Sequence, residues 1–310
     1  KQHIHAPKKG DGGAERHQRV HVRRAVQQPP EPAGEEFAVY YHDHNAQKHL
    51  VEVKPPKKGA RQFVFDETYP YLDKSFGYWL NRNIIGPPFL WTVIYLRNLL
   101  HFGLKIEGRE RLRPWRKELK AGAVAVCNHV YQFDAVAVKQ ALSPWRHIWI
   151  PMYAKHFNGG QYWFVRYVGG IPVPEKRSGM RAFDEAFDEY HRRKEDILVF
   201  PEEVRWDWYT PIRPFRKGAF TMAYKYGCPV VPLAITYRER KGIYRLFGKK
   251  EVPTVTIHVG EPIMTDNSQP RREEVERLRR EAHRRIVALA GIRHNPWDAI
   301  PDDEQNTNNQ

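Results

Sequence analysis

The stretch that decides the fold reads Val124-Ala-Val-Cys-Asn-His129-Val-Tyr-Gln-Phe-Asp134. Its apolar start predicts a buried strand over residues 123–127, and a helix-compatible run follows over residues 134–142. A histidine at the end of a strand and a carboxylate at the start of the next helix can meet across one tight turn. The carboxylate then fixes the proton on one ring nitrogen, which leaves the other nitrogen to act as a general base.

The pair His129 and Asp134 also has a simpler interpretation, a loop histidine followed by a helix-capping aspartate. Three later segments favour the catalytic interpretation: Phe200-Pro-Glu-Glu-Val-Arg205, Pro214-Phe-Arg-Lys-Gly-Ala-Phe220 and Val230-Val-Pro-Leu-Ala-Ile-Thr236. In this order and spacing the segments resemble the lysophospholipid (glycerolipid) acyltransferase family, the group that contains 1-acylglycerol-3-phosphate acyltransferases. The resemblance covers roughly residues 84–292.

The resemblance implies roles for both residues of the first segment. His129 would be the base and Asp134 would orient it, so that the hydroxyl of a lysolipid attacks the thioester of an acyl-CoA or acyl carrier protein directly. No acyl-enzyme is required, and no metal or other bound cofactor is implied. Cys127 is an alternative nucleophile, but an apolar flank raises the pKa of a thiol and favours a buried structural cysteine.

The resemblance also implies residues that bind the acceptor. A cation follows the family's second block, here Gly170-Ile-Pro-Val-Pro-Glu-Lys-Arg177, and either Lys176 or Arg177 fits that place. The third block contributes Glu202 and Arg205, and a later block contributes Lys217 and Gly218. The candidate substrate-binding residues are therefore Lys176, Arg177, Glu202, Arg205, Lys217 and Gly218.

The third block departs from the family pattern at two positions. Glu203 stands where the family has glycine, which suits a close approach of backbone to ligand, and Val204 replaces a small hydroxyl residue. A carboxylate beside a phosphate would repel it. Lysophosphatidic acid remains the first expectation, and an acyltransferase for a non-phosphate lyso-aminolipid is the alternative.

Composition favours anionic partners. The 310 residues include 51 basic and 36 acidic side chains, a net charge of +15. Such a surplus suits anionic lipid head groups, phosphate-bearing co-substrates or nucleic acid. Zinc-finger, basic-zipper and RNA-recognition signatures are missing from the sequence, so no nucleic acid is expected. A non-catalytic membrane- or nucleic-acid-binding protein is the remaining alternative. Two cysteines form no disulfide framework and indicate a reducing compartment.

The first 107 residues divide into two predicted segments. Residues 1–60 are polar, basic and rich in histidine, which predicts a disordered arm; a metal role for its histidines is less expected than a solvated tail. Residues 61–107 are aromatic and apolar, with a predicted turn at Ile84-Ile-Gly-Pro-Pro88 and a helix over residues 89–102. That helix is too short to cross hydrocarbon and suits the membrane interface, or equally packing on the main domain.

Residues 108–292 are predicted to form the acyltransferase domain. Alternating strands and helices indicate an α/β fold, a mainly parallel central sheet flanked by helices, with the membrane-associating helical segment preceding it. The basic runs 108–120 and 238–250 are interpreted as surface loops or as contacts with an anionic membrane surface. Residues 293–310 are predicted to be a polar, unstructured tail. The protein is expected at the cytoplasmic face of a membrane, peripheral or monotopic.

Overall fold

The computed structural model describes residues 63–144, 146–157, 162–248 and 252–299. These residues form a seven-stranded sheet in the order β1-β7-β6-β2-β5-β3-β4. The pairing of β6 with β7 is antiparallel and the other pairings are parallel. The predicted mainly parallel α/β sheet is confirmed. The strands are β1 Lys105–Glu107, β2 Val124–Cys127, β3 Ile148–Tyr153, β4 Gly170–Val173, β5 Asp196–Val199, β6 Val230–Arg238 and β7 Thr254–Val259.

Helices cover both faces of the sheet. We number them α1 (residues 76–100), α2 Arg116–Leu119, α3 Asp134–Leu142, α4 Tyr162–Tyr167, α5 Arg177–Arg192, α6 Gly218–Tyr226 and α7 Arg271–Leu289. Helices α4 to α7 contribute to one apolar core, and α3 packs in a second core on the other face. Helix α1 lies outside α3, where Leu90, Ile94 and Tyr95 pack against Val136 and Val168.

Two short edge strands were missed from the sequence. Strand β1 begins at Lys105, so the predicted boundary between residues 107 and 108 cuts through the sheet. Strand β4 lies within the second block, residues 170–177. Both are the outermost strands of the sheet, where Pro172 and charged residues such as Lys105 are tolerated because one side of the strand lacks a ladder partner.

The predicted turn at residues 84–88 is wrong, because the chain there is helical. Helix α1 is a continuous run of α and π turns: Phe76–Leu80, Asn81–Ile85, Gly86–Phe89, Leu90–Tyr95 and Leu96–Leu100. Pro87 and Pro88 lie in the short α stretch between two π stretches. A proline ring clashes with the preceding turn of a regular α-helix, and the wider π turn before it leaves room for the ring. A Cβ on Gly86 would lie 2.8 Å from the Asn81 carbonyl oxygen, so glycine is required there.

The ends of the domain also differ from the prediction. Phe65, Tyr69 and Tyr71 are buried in the main core, so the aromatic residues before α1 belong to the domain. In the predicted tail, Trp297 is buried and its indole donates to the Tyr209 hydroxyl at 2.9 Å. Asn295 is buried too. The predicted arm and the rest of the tail lie outside the described residues. In the described part of the chain, no helix combines the length and apolarity that crossing a bilayer demands.

Candidate active site

The chain is pinned where β2 ends. All four residues of β2 are buried, and the side chain of Asn128 continues its pairing with β6. The Asn128 amide donates to the Ile235 carbonyl at 3.0 Å and its oxygen accepts from the Ile235 amide at 2.8 Å. A side chain that mimics the ladder holds the backbone as it leaves the sheet. His129 is therefore presented from a fixed point at the carboxyl edge of the sheet.

The structure brings His129 and Asp134 together as predicted. The ring nitrogen Nδ1 of His129 lies 2.5 Å from Oδ2 of Asp134, the first residue of α3. Backbone amides of Val130 and Ala135 donate to the same carboxylate at 3.2 and 2.7 Å, and the helix start further favours negative charge. A carboxylate acceptor places the histidine proton on Nδ1. The second ring nitrogen, Nε2, is then the basic one.

Glu202 braces the same histidine from a distant part of the chain. Its Oε2 accepts from the His129 backbone amide at 3.0 Å, and Arg213 donates to it at 2.9 Å. The other oxygen accepts from the Arg213 amide at 2.8 Å. Phe200 stacks on the imidazole, with ring centroids 4.3 Å apart. Glu202 is buried and bonded within the protein, so these contacts give it a positioning role, and its contact with substrate stays a prediction.

Arg205 lies near His129 and is paired. Its Nε is 2.8 Å from Oδ1 of Asp207. Burial raises the pKa of Asp207, and the charge of Arg205 opposes that rise. His156 lies near both His129 and Arg205. Burial lowers the pKa of His156, and its interactions with these two residues lower it further. The sequence patterns did not single out His156, Asp207 or Arg213, because only strand order brings them to this turn.

Glu203, which follows Glu202 in the third block, adopts an unusual backbone conformation. Its φ is 64°, in the left-handed region where glycine is favoured. Its carboxylate lies 3.4 Å from Nε of Arg216. Each of the two cations around the third block, Arg205 and Arg216, therefore faces a carboxylate. A strained non-glycine residue at a functional site indicates that its side chain has a role there.

The remaining candidate residues lie farther from His129. Lys176 and Arg177 follow β4, three strand spacings from β2, or about 14 Å. Lys176 is exposed. Hydrogen bonds from Thr68 are the main cause of the lowered pKa of Asp66, and the charge of Lys176 lowers that pKa further. The ammonium of Lys217 is 3.5 Å from Glu276, and Gly218 is exposed with open space at its Cβ position. Within the part of the chain that the structure describes, none of these four residues is in contact with His129.

Cys127 is unsuited to act as a nucleophile. The residue is fully buried, and burial together with the nearby Asp134 and Glu202 carboxylates raises the pKa of its thiol well above the ordinary value. A thiolate, the reactive form, is thereby disfavoured. The geometry supports the base assignment to His129 and gives Cys127 a place in the core.

Comparisons with known proteins agree on one family. The family model described as Acyltransferase matches residues 103–236. The chain is 27% identical over 150 residues to the 1-acyl-sn-glycerol-3-phosphate acyltransferase of Escherichia coli, covering 45% of this chain and 56% of that protein. The Salmonella typhimurium protein of the same name is 26% identical over the same shares. The chain thus spans about half the length of these relatives. A solved 1-acyl-sn-glycerophosphate acyltransferase of Thermotoga maritima is 21% identical, with a TM-score of 0.42, covering 69% of this chain and 87% of that one.

Proposed function

This chain belongs to the acyltransferase family, and we propose that it transfers a fatty acyl group from a thioester to the free hydroxyl of a lysophospholipid, most simply 1-acyl-sn-glycerol-3-phosphate. The observation that carries the proposal is the 2.5 Å contact between His129 Nδ1 and Asp134 Oδ2 within the matched residues. The named relatives act on that acceptor by their names.

The proposed reaction is direct transfer. Nε2 of His129 takes the proton from the acceptor hydroxyl as its oxygen attacks the thioester carbonyl carbon. The carbon–sulfur bond then breaks, and the departing thiolate receives the proton from the histidine. Asp134 stabilises the positive charge that forms on the imidazole. Acyl-CoA and acyl carrier protein both supply the required thioester, so both are proposed as donors.

We further propose that the enzyme binds a membrane peripherally, because its acceptor is a lipid. Helix α1 exposes a row of large apolar side chains: Phe76, Trp79, Ile84, Ile85, Phe89, Val93, Leu96 and Leu99. An apolar helix face outside the core suits the boundary between head groups and acyl chains. The buried, unpaired Cys127 and Cys228 favour a reducing compartment, hence the cytoplasmic face.

The test is thiol release from palmitoyl-CoA by the purified chain with lysophosphatidic acid as acceptor. We expect His129→Ala to lower kcat about 10³-fold, the typical contribution of a positioned general base. Asp134→Asn should lower kcat strongly as well, since the wrong imidazole tautomer is then populated. His294→Ala, which changes an exposed histidine, is the matched control and should keep the wild-type rate.

Retained turnover in His129→Ala, in protein that still unfolds at the wild-type temperature, would remove His129 as the base. No release by the wild type with any acceptor, even with an acyl carrier protein donor, would favour the non-catalytic binding protein. Salt-sensitive binding to nucleic acid without turnover would identify the nucleic-acid form of that alternative.

A second acceptor class has an observation in its favour. Glu203 has a left-handed backbone conformation, and its carboxylate lies beside Arg216. The third block therefore carries a pair of opposite charges. Such a pair matches a lyso-aminolipid, whose cationic group would meet a carboxylate. An acceptor panel run with wild type and Glu203→Gly separates the two candidates.

If the acceptor is lysophosphatidic acid, Glu203→Gly should raise kcat/KM, because a negative charge leaves the phosphate site. If the acceptor is an aminolipid, the same change should lower kcat/KM for it about tenfold, equivalent to one lost charge contact of about 1.4 kcal/mol. Glu175→Gly, at an exposed position in the second block, is the control for loss of a carboxylate elsewhere.

A further inference from the structure

The loop between β6 and β7 exposes apolar side chains on an ordered turn. In the β6–β7 loop, defined as the described residues 239–248, Gly242–Leu246 form a turn of 3₁₀ helix. Ile243 is 63% exposed and Leu246 is 81% exposed. Side chains three residues apart eclipse one another in a 3₁₀ helix, so these two project from the same side. Phe247, which follows, is also partly exposed. An apolar group of this kind indicates a partner outside the chain.

A buried arginine fixes the shape of the β6–β7 loop. Arg240 is 2% exposed, and its guanidinium donates to the carbonyl oxygens of Val252 at 2.8 Å, Tyr244 at 2.7 Å and His101 at 2.5 Å. A Cβ on Gly248 would lie 2.8 Å from this guanidinium, so the chain passes against it only as glycine. Burying a charge is costly unless its donors are satisfied. The arginine therefore holds the loop in a defined conformation, with its apolar residues outward.

The same bonds join the loop to the end of α1. Besides the Arg240 contact with the His101 carbonyl, Nδ1 of His101 lies 2.5 Å from the Phe247 carbonyl oxygen. His101 directly follows α1, whose last turns expose Leu96 and Leu99. The exposed apolar residues of the loop are thus tied to the end of the apolar helix.

The β6–β7 loop also stands at the carboxyl edge of the sheet, the edge that carries His129. Strand β2 ends at Cys127, opposite Leu233, whereas β6 continues to Arg238. At about 3.3 Å per residue the five extra residues carry the loop roughly 16 Å beyond the end of β2. The other basic run, residues 108–120, leads away from this edge: Leu119 receives a bond from Arg146, and Gly122 abuts Glu195, at the opposite end of β5.

We propose that the β6–β7 loop is a second contact with the bilayer, inserting Ile243, Leu246 and Phe247 into the interface of an anionic lipid surface. The charges of the loop fit that partner, since residues 239–248 include three basic side chains and one acidic one. Arg240 is buried, Lys241 is exposed with its ammonium 2.8 Å from the Glu239 carboxylate, and Arg245 is exposed beside the apolar residues. Apolar side chains flanked by cations are typical of interfacial segments on anionic membranes. This contact concerns lipid binding and holds whichever acceptor is used.

The test places an environment-sensitive nitrobenzoxadiazole label on Leu246→Cys in the full chain. The native Cys127 and Cys228 are buried, and burial raises the pKa of both thiols, so they react slowly. Met180→Cys is the matched control, because Met180 is a partly exposed apolar residue on α5, which packs on the other face of the sheet. Vesicles are phosphatidylcholine alone or with phosphatidylglycerol.

We expect the label at residue 246 to shift to the blue and to be quenched by nitroxide lipids, more strongly with phosphatidylglycerol present. The label at residue 180 should keep its aqueous emission. If vesicles bind the protein while the label at 246 stays aqueous, the loop contact is refuted. A blue shift that needs only higher protein concentration, without vesicles, would refute it in favour of a second copy of the chain.

Ile243→Ser with Leu246→Ser gives an independent measure. Vesicle partition should fall about tenfold, while the unfolding temperature stays unchanged, since water already reaches both side chains. Turnover of a short-chain, water-dispersed thioester and acceptor should also stay unchanged. Unaltered partition would overturn the loop contact without touching the proposed chemistry, whereas loss of this turnover in His129→Ala tests the chemistry alone.

Discussion

Helices α7 and α1 distribute polar and apolar residues in opposite ways. Helix α7 buries Val275, Leu278, Ala282 and Ile286 and exposes most of its charged side chains, although Glu274 and Arg279 are buried as well. Its arginines pair with glutamates three residues earlier, as Arg284 does with Glu281 at 2.8 Å. Helix α1 buries Arg82 and Asn98 and exposes eight large apolar residues. The Asn98 amide donates to Gln140 at 2.7 Å.

The difference between the outer faces of α7 and α1 indicates which surroundings suit each helix: water for α7 and a lipid interface for α1. Surface pairs on α7 need water to screen and solvate them, and they contribute modestly to stability. The outward apolar face of α1 is unfavourable in water and favourable in a lipid interface. Its buried polar residues are those that attach it to the domain. The comparison therefore predicts that changes on α1 alter lipid binding or attachment, and changes on α7 alter only stability.

The largest effect is expected when the outward face of α1 is made polar. Replacing Trp79, Phe89, Leu96 and Leu99 by Ser should weaken partition into phosphatidylcholine–phosphatidylglycerol vesicles about 10³-fold, at roughly 1 kcal/mol for each partly exposed side chain. Flotation of the purified protein with vesicles measures the change. Unfolding in water, measured alongside, should show that the variant is still folded, although less stable, because about half of each side chain is buried against the protein.

The control on α7 replaces Arg272 and Glu273 by Ser, a charge-neutral change of two exposed residues. Vesicle partition of this variant should equal that of the wild type. If the α1 and α7 variants bind vesicles equally well, the exposed apolar face of α1 does not bind lipid, and the proposed difference between the two helices is refuted.

The sequence predicted much of what local pattern controls. Residues 134–142 are helical as predicted, and the turn from His129 to Asp134 closes as expected, because strand, turn and helix are adjacent in the chain. The start of helix α1 was misjudged, because residues 84–88 were predicted to form a turn. Its proline pair is accommodated by π turns, which local pattern does not specify.

The partners of His129 were beyond local pattern. Glu202 reaches the His129 amide from 73 positions away, and it does so because β2 pairs with β5. Its bracing contact with the histidine was missed from the sequence for the same reason. Arg213, Asp207 and His156 join the site through that strand order too. Residue identity gave the chemistry of the dyad, whereas topology supplied its surroundings.

Attachment of α1 depends on Arg82. The guanidinium lies 3.7 Å over the Trp149 ring and donates to Nδ1 of His147 at 3.2 Å and to the Arg166 carbonyl at 3.3 Å. Arg82→Leu removes the donor to His147 Nδ1 and the cation over Trp149, whereas the Arg166 carbonyl keeps the Gly169 amide as donor at 3.1 Å. The change should cost about 3 kcal/mol of unfolding free energy in urea without vesicles. Arg97→Leu changes an exposed arginine of the same helix and should cost under about 0.5 kcal/mol. Equal losses in the two variants would mean that the buried end of α1 is not its attachment.

The smallest effect concerns Glu276 on α7. Bonds from Arg279 and Arg280 lower the pKa of Glu276 to about 2, with Lys217 adding to the shift. Because this folded pKa is depressed, the contribution to stability is present above the unfolded pKa of about 4.5 and is lost as the pH falls towards 2. Glu276→Gln should cost about 0.5–1 kcal/mol at pH 7, since the group is partly exposed and screened.

That cost should become much smaller in urea unfolding at pH 2, where the wild-type carboxyl is about half protonated in the folded protein as well. Glu273→Gln, an exposed neighbour, is the control and should cost less at pH 7. Helix α1 contains no acidic residue, so vesicle partition driven by its apolar face should not follow the titration of Glu276. If vesicle partition changed with pH in parallel with the protonation of Glu276, charge on α7 would contribute to lipid binding. The assignment of lipid binding to α1 and of stability alone to α7 would then be wrong.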